Sequence, residues 1–348
     1  MSNEPGEVTH PDVRLVASSP RVQAGDWGRT MDEVSHVTAS NTSFEASLTS
    51  IERSWPWVLR TLWLLLPFTV GAAFASELTA AEVSSPVRVV LLVLAWAWWV
   101  AGFFATVVAH PAGLVVLRCA GPVALAGAAW VAVSWTGDSG DSRSLTLVVV
   151  SASIAVVVVA VVLHAETGHW CVNGPAYANE RRFLLRPPAL LLVGPIPLAG
   201  ALVAAGIVIG PSLVAADRVG LGLVVSAAGL FAAGVSGRAL YAVARRFVVF
   251  VPAGLVVHDR GSLHDPVLFG HRIIEGVRAA SADSDSLDLT ANAPGLVVEV
   301  VLTEKVEVTR VRNARDSGQT GRTGRFLIVP TLPGRLLATA ASRGLPVG

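Results

Sequence analysis

The side chains with the most evident chemical capacity lie in one polar loop, between the fourth and fifth of the long apolar segments of the chain. This loop begins at His164 and carries Glu166, His169 and Cys171. A histidine beside a carboxylate can act as a general acid–base pair. Imidazole, carboxylate and thiolate groups are also the ligands that bind zinc or iron. Glu166 and His169 are therefore candidate catalytic residues, and His164, Glu166, His169 and Cys171 are candidate metal ligands.

The spacing of these residues favours a structural interpretation of the loop. His164 and His169 are five residues apart, which places them off a common helical face, and the arrangement matches no standard zinc signature. The two histidines could equally cap a helix or pack within a folded loop. We therefore expect no bound cofactor, and we keep the metal and catalytic interpretations as alternatives.

Three arginines follow in the same loop and suggest a second kind of chemistry. Arg181, Arg182 and Arg186 are candidate binding residues for lipid headgroups. At an inner leaflet, each basic residue could gain about 1 kcal/mol from anionic headgroups. The alternative is that these arginines only set the topology of the neighbouring helices.

An apolar block organises the elements that carry this loop. Hydrophobic residues make up 53% of the chain and charged residues 15%, against about 25% charged in an ordinary soluble protein. The block contains runs of about 20 apolar residues, each long enough to span a hydrocarbon core of about 30 Å. We predict an integral membrane protein with about six transmembrane helices: Trp57–Ala75, Val87–Ala109, Leu114–Trp135, Leu145–His164, Ala189–Gly210 and Val219–Ser236.

The arginines at the ends of these segments predict their orientation. One set of ends carries nine arginines and the opposite set carries three. Because basic residues concentrate on the cytoplasmic side, this distribution places both termini in the cytoplasm. We expect the protein in the cytoplasmic (inner) membrane of a bacterium, with the lipid bilayer as its first partner.

The composition of the predicted spans bears on transport. No Asp, Glu or Lys lies inside them, which disfavours a proton-coupled transporter, because ion pathways usually use intramembrane ionisable groups. Helix breaks are expected at prolines, whose freed carbonyls could line a cavity: Pro67, Pro122, Pro195 and Pro197. Such a cavity would suit a carrier for a lipid or another amphiphile.

Small residues recur at four-residue spacing in the last two predicted spans. The fifth predicted span has Gly206 and Gly210, and the sixth has Gly229 and Ala233, with Gly237 directly after it. Such spacing lets helix backbones approach closely in lipid. Packing within one chain is the favoured interpretation, and a dimer seam is the alternative.

The remainder of the chain divides around the membrane block. We predict a disordered cytoplasmic segment at 1–54, a transmembrane domain at 55–243 and a cytoplasmic domain at 244–348. In the last of these the hydrophobic period drops to two, which indicates strands. We predict strands followed by a short helix capped by Gly344, folded as a small barrel or a curled sheet plugged by that helix: Phe247–Val251, Leu255–His258, Val267–Phe269, Ile273–Val277, Leu287–Thr290, Leu296–Thr303, Val306–Val311, Phe326–Val329 and the helix Gly334–Ser342. The residues 313–325, rich in Gly, Ser and Thr, are expected to form a solvated linker.

Three stretches of this last domain carry a family resemblance. They are the first strand at Arg246–Phe250, the segment from His258 to Val277, and the last strand with the start of the helix that follows it at Pro333–Leu337. Together they resemble the bacterial pleckstrin-homology-like (PH-like) domains that often accompany membrane spans. The resemblance implies a docking or membrane-facing module, and it implies no site residues. It covers less than a third of the chain and does not extend to the membrane part.

Three functional hypotheses are consistent with these features of the sequence. The net charge of +1 implies no bulk attraction to nucleic acid. The favoured hypothesis is a non-enzymatic multi-pass membrane protein that presents a cytoplasmic PH-like interaction module to a protein partner or to anionic lipids. The alternatives are a carrier or flippase for a lipid or amphiphile, and an enzyme acting at the membrane surface through Glu166 and His169.

Overall fold

Long apolar helices make up much of the described chain between Glu52 and Ala244. The computed structural model describes residues 50, 52–80, 83–135, 142–177, 179–281, 284–311 and 319–348. Among these residues, five helices are long and apolar enough to cross a membrane, as expected of a multi-pass membrane protein. The predicted disordered segment lies almost wholly outside the described residues.

The helices follow the predicted segments closely. In chain order they are α1 (Glu52–Ala80), α2 (Ser85–Val107), α3 (Pro111–Ser134), α4 (Ser142–Leu163), the short α5 (Ala165–Asn173), α6 (Ala189–Val193), α7 (Pro195–Ala215) and α8 (Val219–Ala244). The five of membrane length are α1 to α4 and α8.

The fifth predicted span is divided rather than continuous. Gly194 separates α6 from α7, and Pro195 begins the second helix. Proline suits a first helical position because its missing N–H has no partner there in any case. Five helices of the described part are long and apolar enough to cross a membrane, against the six predicted. The predicted fifth span is present as the short α6 followed by the 21-residue α7.

The first helix is longer than predicted, and its ends are polar. It extends to Glu52 on one side and past Glu77 on the other. We predicted that no acidic residue lies inside the spans, but that prediction assumed a first span of Trp57–Ala75. The observed helix also contains Glu52 and Glu77, one near each end. The predicted break at Pro67 is present as a single 3₁₀ turn over Leu66–Phe68. The hydroxyl of Thr69 donates to the carbonyl of Leu65 at 2.9 Å, which gives this carbonyl a hydrogen-bond partner near the break.

The hairpin formed by α7 and α8 is held by close backbone approach. A side-chain carbon added at Gly206 would lie 2.1 Å from the Cα of Gly229, and one at Gly210 would lie 2.2 Å from the hydroxyl of Ser226. We call Gly206, Gly210 and Gly229 the glycine contact. Packing within the chain, the favoured interpretation of the small residues, is confirmed for these three. Nothing lies within 4 Å of a carbon added at Gly237.

Two four-stranded sheets and one helix follow the membrane part. The elements are β2 (Phe247–Val251), β3 (Gly254–His258), β4 (Val267–Gly270), β5 (Ile274–Ala279), β6 (Leu287–Asp288), β7 (Val298–Arg310), β8 (Gln319–Ile328) and α9 (Pro333–Ser342). One sheet has the order β1-β2-β3-β4, where β1 is Arg181–Leu184, and the other has the order β5-β7-β8-β6. The strand β1 (Arg181–Leu184) comes from the loop between α5 and α6, far from the other strands in sequence.

One hydrophobic core lies between the sheets and α9. Phe250 and Phe269 of the first sheet pack in it with Phe326 of the second, and Leu336 adds the buried face of α9. Gly344 adopts a left-handed φ of 75° just after α9, as expected of a helix-terminating glycine.

The sheets do not close into a barrel over the described strands, so the predicted small barrel was wrong. Among the residues described, only isolated bridges such as Leu263–Arg310 and Leu185–Pro330 link the two sheets, whereas a closed barrel needs a continuous ladder of strands. Two predicted strands are one strand, β7, with a bulge between Val301 and Val306. The residues from Gln319 to Arg325, predicted as linker, belong to β8.

Candidate functional site

The short helix α5 positions the polar loop residues. His164 precedes it and caps it, because its Nδ1 accepts a hydrogen bond from the backbone N–H of Glu166 at 3.2 Å. The helix then places Glu166, His169 and Asn173 at spacings of three and four residues, on one face. Glu166 and His169 are only 8% and 5% exposed. A buried charged or polar group needs partners, and these residues have them.

Arg335 of α9 and Glu52 of α1 supply those partners. The Nη1 atom of Arg335 lies 2.9 Å from Glu166 Oε2 and 3.2 Å from Glu52 Oε1. The same Glu52 oxygen lies 3.3 Å from His169 Nε2. We call Glu52, Glu166, His169, Asn173 and Arg335 the polar joint. It connects the first membrane helix, the loop helix and the terminal helix of the sheet domain.

Asn173 joins the end of α5 to β1, and Glu52 determines which nitrogen of His169 carries the proton. The Nδ2 of Asn173 donates to the carbonyls of His169 and Arg182 at 2.9 and 2.8 Å, and it lies 3.2 Å from His169 Nδ1. The amide nitrogen has two hydrogens and the two carbonyls take both, so its contact with Nδ1 does not fix the ring. A carboxylate only accepts, so Nε2 of His169, 3.3 Å from Glu52 Oε1, carries the proton that faces Glu52.

A cleft of about 210 Å³ opens beside the polar joint. Its walls combine carboxylate, imidazole, amide, guanidinium and indole groups, and they are Glu52, Trp55, Ala109, Glu166, His169, Trp170, Asn173, Gly174 and Arg181. Such a mixture could orient a small polar or amphiphilic molecule. It could also support proton transfer between His169 and a bound group.

The structure separates the other two candidate metal ligands from this cleft. The ring of His164 packs against Trp55 at 4.7 Å between ring centroids, and its Nδ1 is used in the helix cap. Cys171 is fully buried, and this burial raises the pKa of its thiol to about 12. A thiol with so high a pKa is a poor nucleophile and a poor metal ligand. Within the described part of the chain, no three His, Cys, Asp or Glu side chains converge as a metal site would require.

The three candidate headgroup-binding arginines occupy different surroundings. The side chain of Arg181 is exposed, lines the cleft and makes no hydrogen bond or ion pair with a described residue. Arg182 pairs with Glu180 at 2.8 Å and lies over the ring of Phe247. Arg186 is half-buried and donates to the carbonyl of Pro294 at 3.3 Å. Of the three, Arg181 is the one whose guanidinium is free toward solvent.

The strand β1 fixes this loop to the sheet domain. It pairs antiparallel with β2, with Arg181 opposite Phe250 and Leu184 opposite Phe247. The N–H of Leu185 then donates to the carbonyl of Arg246 at 2.9 Å, and that of Arg186 donates at 2.9 Å to the carbonyl of Val329, which follows β8 of the second sheet. The polar loop is therefore an integral part of the first sheet.

A buried ion pair lies where the last membrane helix enters this sheet. Arg246 donates to both carboxylate oxygens of Asp259 at 2.7 Å, and the two residues are 5% and 1% exposed. The backbone N–H of Gly261 and the hydroxyl of Ser262 also donate to Asp259. Two parallel charge-assisted bonds of this kind are short, strong and directional. They fix the entry of β2 immediately after α8.

Sequence reasoning did not identify Glu52, Asn173, Arg335 or the pair of Arg246 with Asp259. The only available signal was the position of Glu52 and Arg335 in helices with apolar faces, which gives no indication of their partners. The Glu52–Arg335 contact joins residues 283 positions apart. No protein-family model matches the chain, and neither a curated protein nor a solved structure matches it.

Proposed function

We propose that this chain is a non-enzymatic, multi-pass protein of the bacterial inner membrane that holds a cytoplasmic PH-like module in a fixed orientation for a protein partner. The single observation that carries the proposal is the pairing of β1 with β2. A loop between two membrane helices thereby supplies an edge strand of the cytoplasmic sheet. A module tethered by one linker would be free to rotate, whereas this one is bound to the membrane part at several points.

The polar joint supports the same conclusion from another part of the sheet domain. Arg335 of α9 contacts carboxylates of α1 and α5. Together with the β1 pairing and the direct passage from α8 to β2, this gives three separate attachments. Such redundancy suits a protein whose module must keep one face toward the membrane and another toward a partner.

The proposed topology has six crossings, with the divided helix α6–α7 as the fifth. The arginine bias of the sequence supports a cytoplasmic location for both termini and for the sheets. The order of strands followed by one packed terminal helix supports the PH-like assignment, with two sheets around a common core in place of a closed barrel.

Cysteine labelling in oriented vesicles tests the topology. Arg272, exposed in the sheet domain, and Ala216, exposed between α7 and α8, are replaced one at a time by Cys in a Cys119→Ala background. An impermeant maleimide should label Arg272→Cys only in inside-out vesicles and Ala216→Cys only in right-side-out vesicles. The reverse result would place the sheets outside the cytoplasm and end the proposal.

Photo-cross-linking in cells tests the interaction role. Leu268 lies on the edge strand β4 and is 50% exposed, and an edge strand offers unpaired N–H and C=O groups to a partner. A photoreactive residue at Leu268 should give one discrete protein adduct. The same residue at Leu221 on α8 is the matched control, because that exposed position is expected to face lipid. Failure of every exposed sheet position to give an adduct would contradict the interaction role.

A membrane-surface enzyme is the second candidate, and the cleft beside His169 favours it. A His169→Asn variant keeps a hydrogen-bonding side chain but cannot transfer a proton at neutral pH. If this variant lost a cellular phenotype that wild type restores, while its cross-links stayed normal, the enzyme would replace the interaction module. No observation in the described residues favours the carrier or flippase.

A further inference from the structure

A group of basic side chains surrounds the point where the last membrane helix becomes a strand. α8 ends at Ala244, so Arg245 is the first residue beyond it. The ring of His258 stacks on Phe247 with 4.8 Å between centroids, and the Cζ of Arg182 lies 5.6 Å from the centroid of that same Phe247 ring. Arg260 follows β3 by two residues. We call Arg182, Arg245, His258 and Arg260 the basic cluster.

The charges of this cluster are poorly compensated inside the protein. Asp259, the nearest acid in sequence, is fully engaged by Arg246. Glu180 pairs with Arg182. The guanidinium groups of Arg245 and Arg260 make no hydrogen bond or ion pair with any residue that the structure describes. Two positive charges therefore lie together with no internal counter-charge.

Two covered nitrogen atoms of the cluster also lack a hydrogen-bond partner. They are Nε of Arg182 and Nε2 of His258. Burial and the neighbouring charges of Arg245, Arg260 and Arg182 lower the pKa of His258, as expected where cations concentrate. Buried polar atoms without partners are rare in folded proteins, so such atoms call for an explanation.

The depth of the cluster identifies the kind of ligand. Arg245 lies one residue beyond a membrane-length apolar helix, and its guanidinium lies over the ring of Tyr241 in the last turn of that helix. Tyrosine and arginine at a helix end are typical of the headgroup layer of a bilayer. Phosphate groups of lipids occupy that layer, and guanidinium groups bind phosphate through paired hydrogen bonds.

We propose that the phosphate of an anionic phospholipid of the inner leaflet binds between Arg245 and Arg260, beside His258 and Arg182. This site shares Arg182 with the three arginines that the sequence suggested and adds Arg245 and Arg260, which flank the end of the β2–β3 hairpin away from its turn. It rests on the proposed cytoplasmic placement of the sheets. The bound lipid would hold the first sheet against the membrane and supply the acceptors that the cluster lacks.

Native mass spectrometry of the full-length protein in mixed micelles tests the proposal. The probes are phosphatidylglycerol and phosphatidylcholine. The test variant is Arg245→Gln with Arg260→Gln, and the matched control is Arg272→Gln with Arg322→Gln, which removes the same charge from exposed positions elsewhere. Wild type and control should retain phosphatidylglycerol equally, and the test variant should bind it about thirtyfold more weakly, from two lost headgroup contacts.

Three results would overturn this site. Equal binding by the test and control variants would mean that the bulk charge or another site holds the lipid. Equal retention of phosphatidylcholine by wild type would exclude recognition of an anionic headgroup. Displacement of the lipid by inorganic phosphate alone, at similar concentration, would identify a site for soluble phosphate.

A single charge reversal guards against loss of folding in the double variant. Arg260→Glu alters one exposed side chain and should lower phosphatidylglycerol retention at least as much as the double variant. Unchanged retention in Arg260→Glu would also overturn the site. The cross-links from Leu268 give a separate readout: if they persist when lipid retention is lost, the headgroup site and the interaction role are independent. If they are absent in wild type while retention follows the variants as expected, only the interaction role fails.

Discussion

The polar joint and the glycine contact hold their helices together by opposite means. The joint unites α1, α5 and α9 through charged groups whose partners come from distant parts of the chain. The glycine contact unites two consecutive helices by removing side chains, so that the backbones at Gly206 and Gly229 meet directly. In lipid, apolar side chains gain little by leaving one apolar environment for another, so close packing dominates. At the membrane surface, water competes for polar groups, and specificity comes from burying them in pairs.

The largest effect is expected from the buried ion pair between Arg246 and Asp259, which, like the polar joint, holds the fold together through charged groups. Asp259→Asn leaves Arg246 buried without a counter-charge, which should lower the free energy of unfolding of the first sheet by about 3–5 kcal/mol. Hydrogen exchange of the full-length protein should show this loss in β2 and β3 and leave α7 and α8 unchanged. Asp265→Asn is the control, because the Asp265–His264 pair is largely exposed, and a comparable loss there would contradict the explanation.

Glu299 should make the stability of the second sheet depend on pH. Burial alone would raise the pKa of this carboxyl, but hydrogen bonds from Ser284, Ser286 and Arg278 outweigh it and lower the pKa from 4.5 to about 2. A depressed pKa stabilises the fold fully above pH 4.5, and this contribution is lost as the pH falls from 4.5 toward 2. The shift corresponds to about 3 kcal/mol at neutral pH.

A Glu299→Gln variant measures this contribution. The difference in opening free energy between wild type and variant, by hydrogen exchange in β5 and β7, should shrink between pH 4.5 and pH 2. A constant difference over that range would show that the carboxylate charge is not responsible. Glu275→Gln, at an exposed position of β5, should give no such trend.

The glycine contact offers a matched pair of substitutions. Gly206→Ala adds a carbon 2.1 Å from the Cα of Gly229, so the helices must separate, whereas Gly234→Ala on α8 adds one with nothing within 4 Å. Overpacking should destabilise the hairpin by about 1–3 kcal/mol, which exceeds the gain in helix propensity of about 1 kcal/mol for replacing glycine. The midpoint temperature of thermal unfolding in detergent should fall for Gly206→Ala and should stay equal or rise for Gly234→Ala. Equal responses would mean that the close approach carries no stability.

The smallest of these effects is expected at the polar joint. Arg335→Gln removes the cation between Glu52 and the buried Glu166. The cost should be about 1–2 kcal/mol, because glutamine keeps an N–H donor at this position and Glu52 is one-third exposed. Proteolysis and hydrogen exchange should then increase locally at α9 and β1. Arg343→Gln, near the end of the same helix, loses one bond to the Asn179 carbonyl at the surface and should change little. If Arg335→Gln behaved like Arg343→Gln, the joint would not fix the sheet domain to the membrane part.

Local pattern was sufficient for elements whose character depends on neighbouring residues. The predicted strand Phe247–Val251 is present with the same bounds, and the predicted helix Val87–Ala109 is found at Ser85–Val107. Alternation and long apolar runs encode which face is buried, and that information is local. The predictions failed where the structure of a segment depends on the strand beside it. The bulge in β7, the early start of β8 and the absence of a closed barrel all depend on cross-strand contacts.

The sequence by itself determined the membrane class, the positions of the long apolar segments and the presence of a β-rich domain, because hydrophobic length and period are properties of contiguous residues. Only the tertiary structure decided that Arg181–Leu184 is a strand of that domain, and that His169 meets Glu52 across 117 positions and not His164 five residues away. A short polar segment can join any edge that offers unpaired N–H and C=O groups, and a buried charge can pair with any opposite charge that folding brings near. The identity of the partner is a property of the whole fold, so it could not be read from the segment alone.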